Sequence, residues 1–584
     1  MHAGIGVIRL ALVLLLIGGC QPAPVVLLPA DVIYHNAIVV TGTPGAVRAE
    51  AVAVRDGMIV AVGAAADVLR LGGDSTRLVD LGGATLLPGL FDNHVHAGIE
   101  RGELMEWEGG WIAAVPAWIR EARTIPELEA ALRGEASRRP PGEWITGALS
   151  REVWPNQQLP TRHDLDRGAP DHPVLLTRGP HTTVLNSRAL ELAGIDRHTG
   201  FSGGGEIGHD ADGEPDGRLY DAARRLASGA APRPAAGELT EREAIDNLRR
   251  LMRQFAEMGL TSVNVAGVRP DELRYFQTLY QRHGDELPRA VVQIRLRPGF
   301  DAYDDLELSV RDAIAELEAL GFVTGFGNDR LRIGAIKMSI DGGLSAPAYW
   351  SLEAYESKPD FTGVVRIPAE AFYPVARRAH ELGWQLGIHT MGDAAVVMVV
   401  DELERILAES PRDDHRHYLH HVAVKPPRAT IDKMAALGIG VASQPAFTVG
   451  LGAFAVESLA GAREATMNPT RSLLDAGIWM SWGSDGAPYG PRVALWTGIT
   501  RKGWDGAVYG PEEAVDRAEA LRLHTLGPAF QTFAEGRLGT IEPGKLADFT
   551  VFAENVLEID ADRIRHVPVL RTIVGGKDIW MAVP

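Results

Sequence analysis

The sequence predicts an α/β protein: a (β/α)8 barrel of the TIM type, with a small composite β-sandwich domain built from both chain ends and a large insertion after the first barrel strand. Three observations predict it. After residue 240, short apolar or β-branched runs alternate with amphipathic helical stretches, as in a parallel sheet covered by helices. Counted with Leu90-Phe91-Asp92-Asn93-His94-Val95-His96, those runs number eight, enough to close a barrel. β-Character precedes the first run and returns after the last, so the two ends complete one small domain. The boundaries are residues 31–87 and 536–584 for that domain, 88–96 and 240–535 for the barrel, and 97–239 for the insertion.

The 584 residues are 46% apolar and 23% charged, the composition of a globular protein. A net charge of −18 leaves no basic excess for phosphates and argues against nucleic acid as a partner. The one cysteine, Cys20, excludes an internal disulfide and a cysteine-based metal site. It follows Arg9, the apolar run Leu10 to Ile17, and Gly18-Gly19, the ingredients of a secretory signal. The run is too short to span a bilayer as a helix. The segment resembles a bacterial lipoprotein signal over residues 1–19, with Cys20 as the lipidated start of the mature protein and residues 20–30 as a Pro-containing tether. The alternative is an ordinary signal peptide with an incidental cysteine. Gln21 rather than Asp after Cys20 points such a lipoprotein to the outer membrane, so the expected location is the cell envelope, on the periplasmic face.

In chain order, Val32-Ile33-Tyr34, Ile38 to Val40, Ala51 to Val54 and Met58 to Val62 read as strands, with Asp56-Gly57 as a hairpin turn. Residues 97–239 are rich in Trp, Pro and Gly and read as irregular, apart from a strand at Val174 to Thr177 and a short helix at Asn186 to Leu192. Thr240 to Met258 is an amphipathic helix with Ala244, Leu248, Leu251, Met252 and Phe255 on one face. The later barrel strands are Thr261–Val265, Ala290–Leu296, Ile333–Ile340, Gln385–His389, His417–Val422, Gly438–Ser443 and Trp479–Ser484. Helices fall at Leu306–Leu320, Ala369–Leu382, Val396–Leu407, Ala429–Leu437 and Thr470–Ala476. Strands return at 536–553 and Val569–Val574.

Active sites of such barrels lie at the carboxyl ends of the strands. The polar residues there are His94 and His96 on the first strand, Lys337 on the fourth, His389 on the fifth, His421 on the sixth and Asp485 after the eighth. His94 and His96 are two apart, so in a strand both imidazoles face one way and form half of a transition-metal site. Any one of these residues alone is more simply a satisfied structural group or a helix cap; the set on successive strands is what points to metal chemistry.

These residues carry a resemblance. Pro88-Gly89-Leu90-Phe91-Asp92-Asn93-His94-Val95-His96, Lys337-Met338-Ser339-Ile340-Asp341-Gly342-Gly343, His389-Thr390-Met391-Gly392-Asp393, Gly483-Ser484-Asp485-Gly486 and Glu542-Pro543-Gly544-Lys545-Leu546-Ala547-Asp548 resemble the amidohydrolase superfamily, most closely its amidohydrolase-3 or YtcJ-like branch. In the insertion, Asp171-His172-Pro173-Val174 and Asn186-Ser187-Arg188-Ala189-Leu190 are similar to it as well. The resemblance implies that His94 and His96 bind one divalent metal and His389 and His421 a second, with Lys337 as a carboxylated, anionic bridge. The alternative leaves one ion and a Lys337 that binds substrate. Zinc suits imidazole and carboxylate ligands, with iron or manganese as alternatives. Asp485 is the implied general acid/base, taking a proton as water attacks an amide-like carbonyl and returning it to the leaving nitrogen.

The sequence departs from relatives at His420-His421, where they usually read Glu-His. His421 takes the ligand role by position; His420 and His417 are rivals, and strand parity puts His417, Leu419 and His421 on one face. Arg178 and His181 are candidates for the substrate pocket, against a loop salt bridge and an exposed imidazole. The insertion tryptophans could line a bulky pocket, though Trp is more often core.

The leading function is hydrolysis of a non-peptide C–N bond in a small molecule: an amide, a formamide, an N-acyl compound or a cyclic amide. A heterocycle deaminase and an ester or lactone hydrolase are the alternatives on the same barrel; deaminases of this kind place a Glu shortly after the fifth-strand His, and Gly392-Asp393 stands here. A surface-anchored binding protein without catalysis is the reading from another class. A homo-oligomer is compatible with the sequence.

Overall fold

The computed structural model describes residues 28–43, 49–99, 115–149, 154, 159–179, 181–201, 205–228, 230, 239–296, 306–344, 348–356, 359–449, 467–486 and 488–583. The signal segment, Cys20, Trp107 and Trp111 lie outside them. Among the described residues no helix is long and apolar enough to cross a membrane.

Eight parallel strands form one sheet in chain order: Leu90–Val95, Leu260–Val268, Arg289–Arg295, Leu331–Ser339, Leu386–Thr390, Tyr418–His421, Gly440–Ser443 and Met480–Trp482. Their runs are near-continuously apolar because helices cover the outer face and side chains fill the interior. The helix Glu241–Glu257 shows how the cover forms. Thr240 and Glu243 make a capping box, and Ala244, Leu248, Leu251, Met252 and Phe255 are buried against the sheet. A helix the sequence reading omitted, Leu273–His283, joins the second and third strands and buries Leu273, Phe276, Leu279 and Tyr280.

Among the described residues no strand ladder pairs the eighth strand with the first. Asp92 makes the join instead, accepting from Ser484 N–H (2.9 Å), Ser484 Oγ–H (2.5 Å) and His94 N–H (3.1 Å), while Asp485 N–H donates to His94 O (2.7 Å). Burial pushes the Asp92 carboxyl up to about 7, against those hydrogen bonds, which pull it down. Gly483 permits the approach: a Cβ there would stand 2.4 Å from His94 N.

The small domain is a four-stranded sheet (Met58–Gly63, Ala51–Arg55, Val32–His35, Arg77–Asp80) facing a five-stranded one (Ile38–Val39, Thr85–Pro88, Phe549–Phe552, Val569–Val574, Lys577–Met581). Both chain ends contribute to its core, which holds Val32, Tyr34, Val54, Leu86, Phe549, Val551 and Ile573. Asp56 and Gly57 have φ of 51° and 73°, the left-handed pair a two-residue hairpin turn requires. Arg289, at the start of the third barrel strand, clamps this domain through Asp548, with Nε at 2.6 Å and Nη2 at 2.9 Å; Gly575 N–H adds a third bond at 2.8 Å.

The insertion is more regular than its sequence reads. Gly205–His209, Pro215–Asp221, Thr182–Leu185, Val174–Arg178 and Ile145–Ala148 form a five-stranded sheet in that order. Asn186 caps the helix Ser187–Ala193 by accepting from Ala189 N–H. Trp154 is buried in the insertion's own core beside Leu128 and Leu132, with Trp118 against it and Trp144 against a second core, so these rings pack the insertion.

Candidate metal centre

The strand ends bring six of the expected side chains into one cluster, four of them fully or almost fully buried. His94, Lys337, His389 and His421 are each less than one-tenth exposed. His421 lies between the others, its ring centroid 4.9 Å from that of His94 and 4.5 Å from that of His389. Asp485 Oδ1 lies 2.9 Å from His96 Nε2 and 3.4 Å from His94 Nε2. His96 is the exposed member, at 46% of its side chain. Lys337 sits beside Arg295 and Gly387 in the strand ladder, two register steps before the Ser339–His389 pair.

Two residues of the cluster hold backbone conformations that ordinary side chains avoid. His421 has φ 74° and Asp485 φ 55°. Such conformations cost of order 1–3 kcal/mol each and cluster at functional sites. At His421 the strain also overrules strand parity. The strand ends in a left-handed twist over His421 and Val422, so the consecutive rings of His420 and His421 both reach His94, with centroids 4.3 and 4.9 Å away. His417 stands outside the strand and turns away. Its Nδ1 accepts from Leu386 N–H, its Nε2–H donates to His380 Nδ1 (2.8 Å), and it is no ligand.

Second partners set which ring nitrogen faces the cluster. His421 Nδ1–H donates to Gln444 Oε1 (2.6 Å), and Gln444 is itself pinned by donating to Ala442 O (2.9 Å). A carbonyl oxygen only accepts, so the free lone pair of His421 is on Nε2. His389 Nε2 is buried without a hydrogen bond, 3.4 Å from Asp341 Oδ1. Asp341 is occupied by backbone N–H groups of Met391 (2.9 Å), Gly392 (2.8 Å) and Trp350 (2.9 Å).

Charge follows from burial. Burial, with the neighbouring Lys337, His420 and His421, holds His94 well below the ordinary imidazole value. Burial does the same to His389, helped by His421 and Lys337, and brings His421 down to about 3 despite the pull of Asp485. Burial pushes Asp485 up, but His96, His421 and Lys337 outweigh it and hold the carboxylate at about 2. Neutral imidazoles around an ionised carboxylate, with one buried ring nitrogen unpartnered, are a donor set that fits a divalent cation. His94, His421 and Asp485 each offer an atom within 4.8 Å of the others. That triad cuts across the pairing of His94 with His96 and of His389 with His421, and it adds Asp485 to the side chains that could hold an ion.

The insertion reaches this cluster through His181. Its ring packs over Gly343, where a Cβ would come within 2.8 Å, and its Nδ1–H donates to Asp221 Oδ1 (2.6 Å). Arg366, which follows the fourth strand, donates to the same oxygen at 2.6 Å, and both His181 and Arg366 act electrostatically on His389. Arg178 is buried at the end of its insertion strand and acts on Tyr220 of the insertion sheet. Sequence reading missed Asp92, Gln444, Asp341 and Asp221. Their signal was a polar residue inside an apolar strand or at its end.

The chain is similar to known proteins along most of its length. Residues 77–579 match the family described as "Amidohydrolase family". An N-substituted formamide deformylase of Arthrobacter pascens is 30% identical over 554 residues, covering 94% of this chain and 97% of that one. YtcJ of Bacillus subtilis (strain 168), which carries an amidohydrolase name, is 28% identical over 562 residues, covering 94% and 99%. The crystal structure of an uncharacterized metal-dependent hydrolase from Pyrococcus horikoshii OT3 has the same fold, with a TM-score of 0.65 at 21% identity over 91% of this chain and 99% of that one. With a match running from the small domain through the whole barrel and back, and ligand-type residues standing at the strand ends where the fold places active sites, this chain belongs to the amidohydrolase family.

Proposed function

We propose that this chain is a metal-dependent hydrolase that cleaves a C–N bond other than a peptide bond, with small N-substituted formamides and amides as its substrate class. The observation that carries the reading is the buried convergence of His94, His421 and Asp485, with His389 and His96 adjoining. These residues would hold one or two divalent ions, zinc by ligand type, and a bound ion would supply Lewis acidity toward water and the substrate carbonyl. Asp485 takes up the proton released as water adds to the carbonyl carbon and returns it to the nitrogen, so that the C–N bond breaks to a carboxylic acid and an amine. Lys337 is read as the carboxylated bridge. Burial holds its amine well below the ordinary lysine value, and the neutral amine is the form that reacts with CO2. His181, oriented by Asp221, and buried Arg178 are read as the insertion's contributions to the substrate pocket.

Asp393 supports hydrolysis over deamination. It accepts from Leu352 N–H (3.0 Å) and from Ala394 N–H at the start of a helix, so the carboxylate after His389 is committed to structure. The Cys20 sequence supports attachment to the cell envelope through a lipid.

The test is elemental analysis of protein purified without chelator, together with hydrolysis of N-substituted formamides. Wild type is expected to carry one to two zinc ions and to release formate. Asp485→Asn should keep histidine-bound metal and lose about 10²–10⁴-fold in kcat, the range for a lost general acid/base. Lys337→Ala should lower the metal content if the bridge forms. Protein without metal and without turnover on amides or formamides would overturn the proposal.

A further inference from the structure

His420 stands next to His421 at the end of the sixth strand and is fully buried. It lies at the head of a chain of side-chain hydrogen bonds that crosses the barrel interior. Its Nε2–H donates to Gln293 Oε1 (2.9 Å), Gln293 Nε2–H donates to Asn264 Oδ1 (3.1 Å), and Asn264 Nδ2–H donates to Asn93 Oδ1 (3.0 Å). Asn93 then donates to Ser481 Oγ, and Ser481 Oγ–H donates to Gln531 Oε1 (2.6 Å). Every link points the same way, from His420 to Gln531. That direction has a consequence at the head. Because Gln293 offers an oxygen, the His420 proton sits on Nε2, and in the neutral ring Nδ1 is then an acceptor. His94 Nδ1 stands 2.8 Å from His420 Nδ1, so His94 is the donor. The lone pair of His94 is therefore on Nε2, the nitrogen 3.4 Å from both His96 Nε2 and Asp485 Oδ1.

We propose that His420 is a positioning residue: relayed through Gln293, Asn264, Asn93 and Ser481, it fixes the tautomer and orientation of His94 and so sets the metal affinity of the site. The idea rests on the reading of His94 as a metal ligand. An outer partner that fixes a ligating imidazole is commonly worth 10–100-fold in metal affinity. Here that partner is a neutral ring whose own proton is held by an uncharged chain.

The test measures zinc affinity of metal-stripped protein by competition with a chromophoric chelator, with thermal unfolding as the check on folding. His420→Phe keeps the ring volume and removes the acceptor; it should bind zinc about 10–100-fold more weakly. His420→Gln restores an acceptor oxygen and should bring the affinity back toward wild type. Gln293→Met leaves both rings in place and frees the His420 proton; it should weaken zinc in the same direction by a smaller factor, and it carries the test if His420→Phe does not fold. Folded His420→Phe with wild-type affinity would overturn the proposal, as would weak binding in both His420→Phe and His420→Gln, or wild-type affinity in Gln293→Met. A wild-type protein that binds no zinc would overturn the ligand reading itself, a result distinct from any of these.

Discussion

Replacing Asp548 by alanine should weaken the junction between the small domain and the barrel. Arg289 and Asp548 are 6% and 5% exposed, and their bidentate pair is the buried ionic contact between the third barrel strand and the small domain. Without Asp548 the guanidinium keeps one carbonyl bond, to Asp329 O at 2.9 Å, and Gly575 N–H loses its acceptor. A buried charge left without its partner costs about 3–5 kcal/mol. How that loss appears depends on whether the chain unfolds as one unit. With an unfolding entropy of about 2.1 cal/mol/K per residue, 4 kcal/mol lowers Tm by about 3 °C for a unit of about 550 residues. The same loss lowers it by about 17 °C for a separately melting unit of about 110 residues, the size of the small domain. Differential scanning calorimetry separates the cases: either one transition moves slightly, or an early transition splits away. Arg289→Met combined with Asp548→Leu removes both charges and should recover most of the loss, because the penalty is the orphaned charge and not the missing attraction. A loss below about 1 kcal/mol for Asp548→Ala would refute the argument, since that is the range of an exposed pair.

Two further outcomes follow from particular contacts. Gly483→Ala places a methyl 2.4 Å from His94 N and 2.9 Å from Asp92 Oδ1, so the first and eighth strands must part; zinc content and turnover should fall together while far-UV circular dichroism is preserved. Asp221 is pushed up by burial but held at about 2, against an ordinary 3.8, by Arg366 and His181. Its folded value is the depressed one, so it contributes about 2 kcal/mol above pH ~4 that is lost as pH falls toward ~2. Urea unfolding at pH 7 and pH 3 should show Asp221→Asn less stable than wild type at the higher pH, with the gap narrowing at the lower; a gap independent of pH would sink the assignment.

Most of the barrel was legible because each strand is buried on both faces and reads as an apolar run between helices. The cluster was legible for the same reason: His94, His389, His421 and Asp485 are polar residues at the ends of such runs, and the fold dictates which end matters. Legibility failed where local geometry breaks the rule being used. Parity misled at the sixth strand because His421 takes a positive φ, which turns its ring toward the interior side that Tyr418 and His420 share, while His417 stays outside against His380. Of the insertion sheet the Val174 strand was legible, whereas Gly205–His209 and Pro215–Asp221 carry Gly, Pro and charged residues with little β-propensity to mark them. The helix Leu273–His283 was a simple omission, since its apolar stripe is plain in the sequence. Asp92, Asn93 and Gln293 could be seen as polar residues in apolar strands, but their partners lie too far along the chain for any spacing to suggest them.

The join between the first and last barrel strands gives the protein an order of assembly. Ser484 and Asp92, which close the barrel, are 392 residues apart, and His94 meets Asp485 at that same join. During synthesis the two leading histidines emerge early and wait while seven further strands are made. An ion captured by them alone would have two ligands and ready exchange. The complete cluster is therefore assembled only when the last barrel strand is in place, and a chain truncated before Trp482 lacks the His94–Asp485 contact however much of the barrel it has built.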